Sequence, residues 1–421
     1  MSIPLKMRID NASNIYTASR CRKYTSIYRL SVSLSERIDE DTLQQALENT
    51  LKRIPLFGYT VSNGIFWWHL KRMSKTPRLL AHNNMMRFCI RKNGGFLFNL
   101  STEDCTIYLD VFHVIADGNG SRTFLLTLCA EYLRLRYGIE IEYNDSIFNT
   151  EEEPQEEELE DGFDLFKGKK GSLEKNDKAY HISGTEEPHY ITNVVRMTMP
   201  VARVKEVAKE YNCTITELIS ACMVSALQDV RRFDKDTDKS TVLKVSIPVN
   251  LRNIFHARTL RNFSSYVNVG IDVCNDYFDF DKIVNDVVLQ KRLFTTKDCL
   301  ERKVAANVAL EENKAICIIP RIFKRPIIDI INRLKGDRYN TQTFSNLGNI
   351  ELPKTMIPYV KEMDFILGRQ RGNSGAAACI GYNGTLYLNF SRKIVESDFE
   401  DFFCQKLRDL GIPVYSRHTR A

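Results

Sequence analysis

The 421-residue chain lacks several features that would assign it to a specialised class of protein. Residues 1–10 contain no apolar run of the kind that secretory signals carry, and no apolar stretch reaches the roughly eighteen residues that span a bilayer. The eleven cysteines form neither a Cys-x-x-Cys pair nor a cluster with histidine, so neither a zinc site nor a disulfide framework is indicated. These absences predict a cytoplasmic protein without a bound metal.

The composition is that of a globular protein with more than one domain. Hydrophobic residues make up 43% of the chain and charged residues 27%, which is enough apolar material for large cores. The net charge of +6 conceals eight acidic residues within 151–161, which we interpret as part of a solvated linker. We therefore predict an N-terminal lobe at 1–145, an acidic then basic linker at 146–190, and a C-terminal lobe at 191–421. No interleaved basic and aromatic motif indicates nucleic-acid binding.

Hydrophobic periodicity predicts alternating strands and helices in both lobes. In the first lobe, a strand at 28–34 precedes a helix that begins near Asp41 and stops at Pro55. Asn63-Gly64 is typical of a type I′ turn and predicts a hairpin that returns through 65–70. In the second lobe, Thr214 and Glu217 have the spacing of a capping box. The other predicted strands are 192–199, 243–248, 267–273, 361–367, 376–382 and 386–390, and helices are predicted from 201, over about 279–312 and in part of 314–334.

The most informative motif is His113-Val114-Ile115-Ala116-Asp117-Gly118. Residues 106–112 before it have the β-branched and aromatic content of a strand, and apolar residues from 124 to 133 recur at helical spacing. His113 is therefore predicted where a strand ends and a glycine-containing turn opens a helix. An imidazole with a pKa of about 6.5 can act as a general base when such a turn places it in a cleft. The alternative interpretation is a histidine that is hydrogen-bonded at the end of its strand and has no catalytic role.

The motif resembles the His-x-x-x-Asp-Gly signature of the chloramphenicol-acetyltransferase-like superfamily, which includes condensation domains and alcohol acetyltransferases. Phe112 stands where the longer form of the signature has a first histidine, which favours the alcohol acetyltransferase-like branch. Residues 247–252 and 259–263 are similar to the Pro-x-Asn-x-Arg and Arg-Asn segments of that branch. Residues 344–348 resemble its Ser-Asn-x-Gly strand end. The order of these segments extends the resemblance over nearly the whole chain.

The resemblance implies an α/β fold of two similar lobes, each a mixed β-sheet flanked by helices, with an active-site tunnel between them. It also implies that an alcohol or amine acceptor attacks an acyl-CoA thioester directly, with His113 as general base. The oxyanion would be stabilised by Asn346, by Ser345 or by the backbone near Gly348.

Asp117 admits two interpretations. Its position four residues after His113 would suit a triad-like orienting role. The resemblance instead implies that Asp117 pairs with Arg252, with Arg261 behind it, and that Asp117 and Gly118 stiffen the turn.

Residues 315–334 combine isoleucines and a phenylalanine with basic side chains. Core packing, an apolar wall for a hydrophobic substrate, and a basic amphipathic surface on an anionic membrane are three interpretations of this pattern. Pro320 and Pro326 argue against a continuous helix. Arg321, Lys324 and Arg325 lie in the half of the chain where the resemblance places the CoA entrance, and we expect them to bind the CoA phosphates.

Two functional hypotheses follow. The first is an acyl-CoA-dependent acyltransferase that acylates a small-molecule alcohol or amine, hydrophobic or not, with free acyl-CoA as co-substrate. The alternative is a non-catalytic condensation-like module that holds a carrier protein or a lipid in its cleft. Peripheral membrane contact is compatible with both, and the sequence leaves the oligomeric state open.

Overall fold

The computed structural model describes residues 3–420, except 22–23, 83, 86–87, 173–176, 235, 237–239, 275 and 336. The strands are β1 (Lys6–Arg8), β2 (Ile27–Leu34), β3 (Tyr59–Asn63), β4 (Trp68–Arg72), β5 (Leu80–Ala81), β6 (Phe98–Glu103), β7 (Thr106–Phe112), β8 (Asn193–Pro200), β9 (Val242–Asn250), β10 (Ser264–Asp272), β11 (Gln342–Ile350), β12 (Val360–Leu367), β13 (Gly375–Tyr382), β14 (Thr385–Arg392) and β15 (Tyr415–Arg420). The helices are α1 (Asn11–Ser19), α2 (Glu40–Arg53), α3 (Gly118–Tyr137), α4 (Val201–Glu210), α5 (Ile215–Phe233), α6 (Arg252–Phe255), α7 (Phe280–Phe294), α8 (Lys297–Glu312), α9 (Lys314–Cys317), α10 (Arg321–Lys335) and α11 (Asp398–Asp409).

Two large mixed sheets organise these elements. The five-stranded sheet has the order β12-β2-β7-β6-β5, and the seven-stranded sheet has the order β10-β9-β11-β13-β14-β8-β15. In the seven-stranded sheet β11 runs parallel to both β9 and β13, while the other pairs are antiparallel. A small third sheet, β1-β4-β3, lies in the N-terminal half. The α/β class with mixed sheets and flanking helices is therefore confirmed.

The C-terminal half of the chain contributes one strand to the N-terminal sheet. β12 belongs to the C-terminal half of the sequence, yet it pairs with β2 through the register Phe365 to Leu30. Phe365 and Met363 pack in the hydrophobic core that also contains the apolar side chains of β2 and β7. The N-terminal sheet is thus completed by residues 360–367, which the division at 145 and 191 assigns to the other lobe.

The acidic segment is more deeply packed than its composition indicates. Glu158 is buried, and its carboxylate accepts two hydrogen bonds of 2.7 Å from the Arg53 guanidinium. Phe163 and Phe166 are buried in the C-terminal core. The expectation of a wholly solvated linker is therefore wrong for this stretch, because Arg53 compensates the charge of Glu158 and the two phenylalanines bury apolar surface.

Local sequence signals place many of the elements correctly. β7 ends at Phe112 and α3 begins at Gly118, as the hydrophobic pattern predicts. The predicted capping box is present at the start of α5, where Thr214 and Glu217 each accept a hydrogen bond from the other's backbone N–H. These elements depend on interactions between residues that are close in the sequence, so local sequence patterns predict them.

The hairpin at Asn63-Gly64 differs from its prediction. Neither residue has a positive φ, and β4 begins only at Trp68. The Gly64 N–H donates to the Trp67 carbonyl, which closes a four-residue loop at 64–67 in place of the type I′ turn. The Arg321 backbone N–H donates to the carbonyl of Ile65 in the same loop, so a distant helix holds the loop open.

The segment 314–335 is not one continuous helix, as its prolines predict, because α9 ends at Cys317 and α10 begins at Arg321, directly after Pro320. Pro326, however, lies inside α10 and does not break it, contrary to expectation. Its inner face packs on the N-terminal core through Ile328, and we attribute the helix's tolerance of the missing proline N–H to this packing. Among the described residues, no single helix is both long and apolar enough to cross a membrane. Only the bent pair α4 and α5, which meet at 79°, reaches the required length and composition together.

Candidate active site

His113 lies at the end of β7, held by its backbone and by its ring. Its N–H donates to the Ser26 carbonyl at 3.0 Å, which extends the pairing between β2 and β7 by one residue. The ring Nδ1 lies 2.9 Å from Oδ1 of Asn262. The chain thus brings together two residues that are 149 positions apart, one from each half of the sequence.

Asn262 determines which nitrogen of His113 carries the proton. Its Nδ2 donates to Asp10 Oδ2 at 3.2 Å and to Ser13 Oγ at 3.0 Å, so its amide oxygen must face His113. An amide oxygen can only accept, and Nδ1 must therefore be the protonated nitrogen of a neutral ring. Nε2 is left with a lone pair, which is the form that a general base requires.

Two tyrosines fix the plane of the imidazole. Tyr16 stacks on it with ring centroids 4.2 Å apart, and its hydroxyl lies 3.4 Å from Nε2. Tyr28 meets the ring edge-on at 5.1 Å, and its own hydroxyl is held by the Ala116 carbonyl and by Ser121. Burial raises the pKa of Tyr16, so its phenol stays protonated at neutral pH.

Burial also lowers the pKa of His113 below its ordinary value of about 6.5. The nearby carboxylate of Asp117 and the hydrogen bond to Asn262 oppose this effect in part. The net result is an imidazole that is neutral at pH 7, which allows it to accept a proton.

Asp117 caps helix α3 and forms an ion pair with the other half of the chain. Its Oδ1 accepts from the Gly120 N–H at 3.0 Å, and its Oδ2 accepts from the Phe263 N–H at 3.0 Å. Arg252 donates to the two oxygens at 2.8 and 3.1 Å. Burial alone would raise the pKa of Asp117, but Arg252 and the backbone donors outweigh it and hold the pKa below its usual value. The pairing expected for Asp117 and Arg252 is therefore present, and neither Asp117 oxygen bonds to His113.

The glycines of the turn permit close approach. A Cβ on Gly120 would lie 2.0 Å from the Leu260 carbonyl oxygen, so only glycine fits between α3 and that backbone. A Cβ on Gly118 would lie 2.8 Å from the side chain of Leu347 in β11. Leu347 also accepts a hydrogen bond from Arg122 through its carbonyl, so β11 is fastened to the start of α3.

The predicted oxyanion residues lie in this β11 segment. The Asn346 amide N–H donates to Thr216 at 3.0 Å, and its Oδ1 accepts from the Gly348 N–H at 2.7 Å. Gly348 has φ +78°, the left-handed conformation that glycine adopts without strain. The side-chain amide of Asn346 and the N–H of Gly348 thus bond to the protein itself, while Ser345 is half-buried on the same strand.

Of the three residues predicted to bind the CoA phosphates, Arg321 and Lys324 contact the β3–β4 loop. Arg321 donates to the Gly64 carbonyl through Nε. Lys324 is fully buried, with its ammonium 3.3 Å from the centroid of the Trp67 ring, and burial lowers its pKa. The expectation that Lys324 lies at an open entrance is wrong for this structure. The side chain of Arg325 lies outside the described part of the chain.

Comparison with known proteins supports the resemblance. The family model for alcohol acetyltransferases matches residues 140–280, a third of the chain that includes Arg252 and Asn262 but not His113. No curated protein matches the chain. Polyketide synthase associated protein 5 from Mycobacterium tuberculosis is similar in structure, with a TM-score of 0.65 and 13% sequence identity over 96% of this chain and 98% of that one.

Two further solved structures show the same architecture. The first condensation domain of the CDA synthetase has a TM-score of 0.60 at 13% identity, over 97% of this chain and 95% of that one. TRI101 of F. graminearum, complexed with coenzyme A and T-2 mycotoxin, has a TM-score of 0.60 at 10% identity, over 99% and 100% of the two chains. This chain has the fold that these three solved structures share. Within that fold, the ion pair of Asp117 and Arg252 joins the matched segment to the turn that carries His113.

Sequence reasoning missed the contribution of the N-terminal segment to this site. Asp10, Ser13 and Tyr16 all belong to α1 or cap it, and they reach His113 either directly or through Asn262. Ser13 Oγ also donates to the Val114 carbonyl, inside the motif itself. The Asp10-x-x-Ser13 spacing is a helix N-cap signal in the sequence, but nothing local indicates that the capped helix packs against residues 113–114.

Proposed function

We propose that this protein is an acyl-CoA-dependent acyltransferase that transfers an acyl group to an alcohol or amine, with His113 as its general base. The observation that carries the proposal is the hydrogen bond from His113 Nδ1 to Asn262, because it leaves the Nε2 lone pair for proton transfer. The alcohol acetyltransferase match and the fold that the chain shares with TRI101 support an acyl-transfer reaction.

The proposed reaction needs no covalent acyl-protein intermediate. His113 Nε2 removes the proton from the acceptor hydroxyl or amine while the acceptor atom attacks the thioester carbon. The resulting tetrahedral oxyanion collapses, the carbon–sulfur bond breaks, and the departing CoA thiolate takes the proton back from the imidazolium. The acceptor must approach Nε2 in the plane of the imidazole, because Tyr16 stacks on the face of that ring.

Asp117 is proposed to act through structure rather than through proton transfer. Its two oxygens bind Arg252 and two backbone N–H groups, which holds the turn between β7 and α3 in one geometry. The side chain of Arg261 lies behind this pair, between Asp10 and Asp161 at 3.8 and 3.7 Å. This arrangement links the turn, α1 and the acidic segment, so the position of His113 depends on both halves of the chain.

The oxyanion requires a donor, and we propose Ser345 or Asn346 for this role. One amide N–H of Asn346 is used by Thr216, while its second N–H and the Ser345 hydroxyl are the donors that we propose for the oxyanion. Losing a single oxyanion donor costs about 10²–10³ in kcat in well-studied hydrolases. Comparing kcat for Ser345→Ala and Asn346→Ala identifies the donor, and the proposal fails if both variants retain the wild-type kcat.

Free acyl-CoA is the proposed donor, with Arg321 and Arg325 as candidate contacts for its phosphates. The test compares acetyl-CoA with acetyl-pantetheine, which lacks the nucleotide, at low and at high salt. We expect a strong preference for acetyl-CoA that shrinks as salt screens the phosphates. Equal use of both thioesters at every salt concentration would contradict this choice of donor and favour a carrier-protein thioester.

The experiment that tests the function incubates the protein with a panel of acyl-CoAs and with alcohol or amine acceptors. Thiol release is followed by colour, and the acylated acceptor is identified by its mass. The proposal expects at least one donor and acceptor pair to give stoichiometric thiol and product. Binding of carrier protein or lipid without thiol release from any donor would instead support the non-catalytic hypothesis.

A further inference from the structure

Exposed apolar side chains gather on one surface where α9 and α10 meet the β3–β4 loop. We name this surface the apolar face, and its members are between 39% and 77% exposed. They are Ile65, Phe66, Ile318, Ile322, Phe323, Ile327 and Ile330. Scattered apolar residues are normal on a protein surface, but seven of them on one helix, the turn before it and the loop bonded to it indicate a site of interaction.

Hydrogen bonds make the loop and the helix one surface. The Arg321 backbone N–H donates to the Ile65 carbonyl at 3.0 Å, and its Nε donates to the Gly64 carbonyl at 3.3 Å. On the inner side of α10, Lys324 lies against the Trp67 ring and Ile328 packs on the N-terminal core. The helix is therefore already attached through its inner side, and the apolar face is a second, outward surface.

The segment that contains the β3–β4 loop is strongly basic. Residues 54–102 contain no aspartate or glutamate and seven lysines or arginines, and the β3–β4 loop lies within this segment. Lys71 and Arg72 are exposed at the end of β4 that lies away from the loop, and Lys6 is exposed opposite Lys71 on β1. Exposed apolar side chains with exposed cations on the same hairpin match the charge and polarity of an anionic lipid interface.

We propose that the apolar face docks on a membrane that contains anionic phospholipids. Ile65, Ile322 and Phe323 enter the boundary between headgroups and acyl chains, while Lys71 and Arg72 contact the lipid phosphates and carboxylates. The apolar contacts supply affinity on any bilayer, and the basic residues supply the preference for negative charge. This inference does not depend on acyl transfer, because docking requires neither a donor nor an acceptor.

The experiment measures sedimentation of the full-length protein with two kinds of vesicle in the absence of acyl-CoA. One kind is phosphatidylcholine alone, and the other also contains phosphatidylserine. We expect binding to the phosphatidylserine vesicles that weakens as salt is raised, because salt screens the charge attraction. Ile322→Ser combined with Phe323→Ser should weaken this binding at least about tenfold, since it removes two of the inserting side chains.

Matched variants separate the apolar contribution from the electrostatic one. Lys71→Glu combined with Arg72→Glu should weaken binding to phosphatidylserine vesicles at least about tenfold and leave binding to phosphatidylcholine unchanged. Leu289→Ser combined with Leu293→Ser is the control on α7, where both leucines are more than half exposed, and it should bind as the wild type does. Thermal melting in solution checks that each variant is folded.

Three results would overturn the proposal. The first is a wild-type protein that stays in the supernatant with phosphatidylserine vesicles at low salt. The second is a folded Ile322→Ser/Phe323→Ser variant that binds like the wild type. The third is a wild-type dimer that this variant converts to a monomer while vesicle binding is unchanged, which would assign the face to a second copy of the chain.

Discussion

The turn that carries His113 and the helix α10 use their side chains in contrasting ways. In the turn, Asp117 and Arg252 are buried or nearly so, and each hydrogen-bonding atom of the Asp117 carboxylate has a defined partner. On α10, the outward side chains Ile322 and Phe323 are 74% and 65% exposed. Paired buried charges fix one geometry, whereas exposed apolar groups contribute only when a partner covers them. We therefore expect substitutions in the turn to change turnover and stability, and substitutions on the outer side of α10 to change neither.

The largest effect on stability is expected for Asp117→Asn. The change leaves the Arg252 cation without its carboxylate in a buried site, which should cost on the order of 3 kcal/mol in the free energy of unfolding. Turnover should also fall, because the turn loses the contacts that place His113. Chemical denaturation and thiol release measure the two effects.

Asp110→Asn is the matched control, since it breaks the buried ion pair between Asp110 on β7 and Arg29 on the neighbouring strand β2. We expect a comparable loss of stability with much less loss of turnover at a temperature where both variants are folded. If Asp117→Asn leaves the stability unchanged and abolishes turnover, the structural role is wrong and a triad-like role for Asp117 returns.

A smaller effect is expected for Asn262→Ala, and it appears in the pH dependence. Burial lowers the pKa of His113, and the hydrogen bond to Asn262 partly restores it. Because only the neutral imidazole is a base, kcat/KM should fall on the acid side with a midpoint below about 6.5 in the wild type. Removing Asn262 removes a contribution that raises this pKa, so the midpoint should move to lower pH.

Asn14→Ala is the control for this shift. Asn14 is a buried asparagine of α1 whose side-chain amide donates to Glu311 and to the Asp10 carbonyl, and not to His113. Its substitution should leave the midpoint of the kcat/KM profile where it is. A midpoint that is the same in Asn262→Ala and the wild type would show that Asn262 does not control the protonation of His113.

The smallest effect on catalysis is expected on α10. With a short-chain acyl-CoA in free solution, Ile322→Ser combined with Phe323→Ser should change kcat/KM by less than about twofold and leave the melting temperature nearly unchanged, as is usual for surface substitutions. A large fall in kcat/KM would place the outer side of α10 in the substrate site and remove the contrast between the two regions.

The sequence predicts those parts of the site that depend on residues close together in the chain. The strand, the turn and the helix around His113 follow from composition, from periodicity and from the Asp117 cap, which involve neighbouring residues. The partner of Asp117 was predicted from the resemblance, since Arg252 lies 135 positions away and periodicity does not report such a contact.

The features that the sequence does not predict depend on long-range packing. Tyr16 stacks on His113 across 97 positions, and β12 joins the sheet of β2 across more than 300. The Asn63-Gly64 signal for a tight turn is overridden by hydrogen bonds from Arg321, which no local rule anticipates. The sequence alone predicts that Lys324 is an exposed cation, but in the structure its side chain is buried on the inner side of α10, against Trp67.

The most direct test of the central claim compares thiol release by the wild type and by His113→Ala, using a donor and acceptor pair that the wild type converts. A base at Nε2 contributes to the reaction barrier, so the account predicts a loss of about 10²–10⁴ in kcat at a temperature where thermal melting shows the variant to be folded. Turnover like that of the wild type in a folded His113→Ala variant would contradict the account and remove His113 from the mechanism.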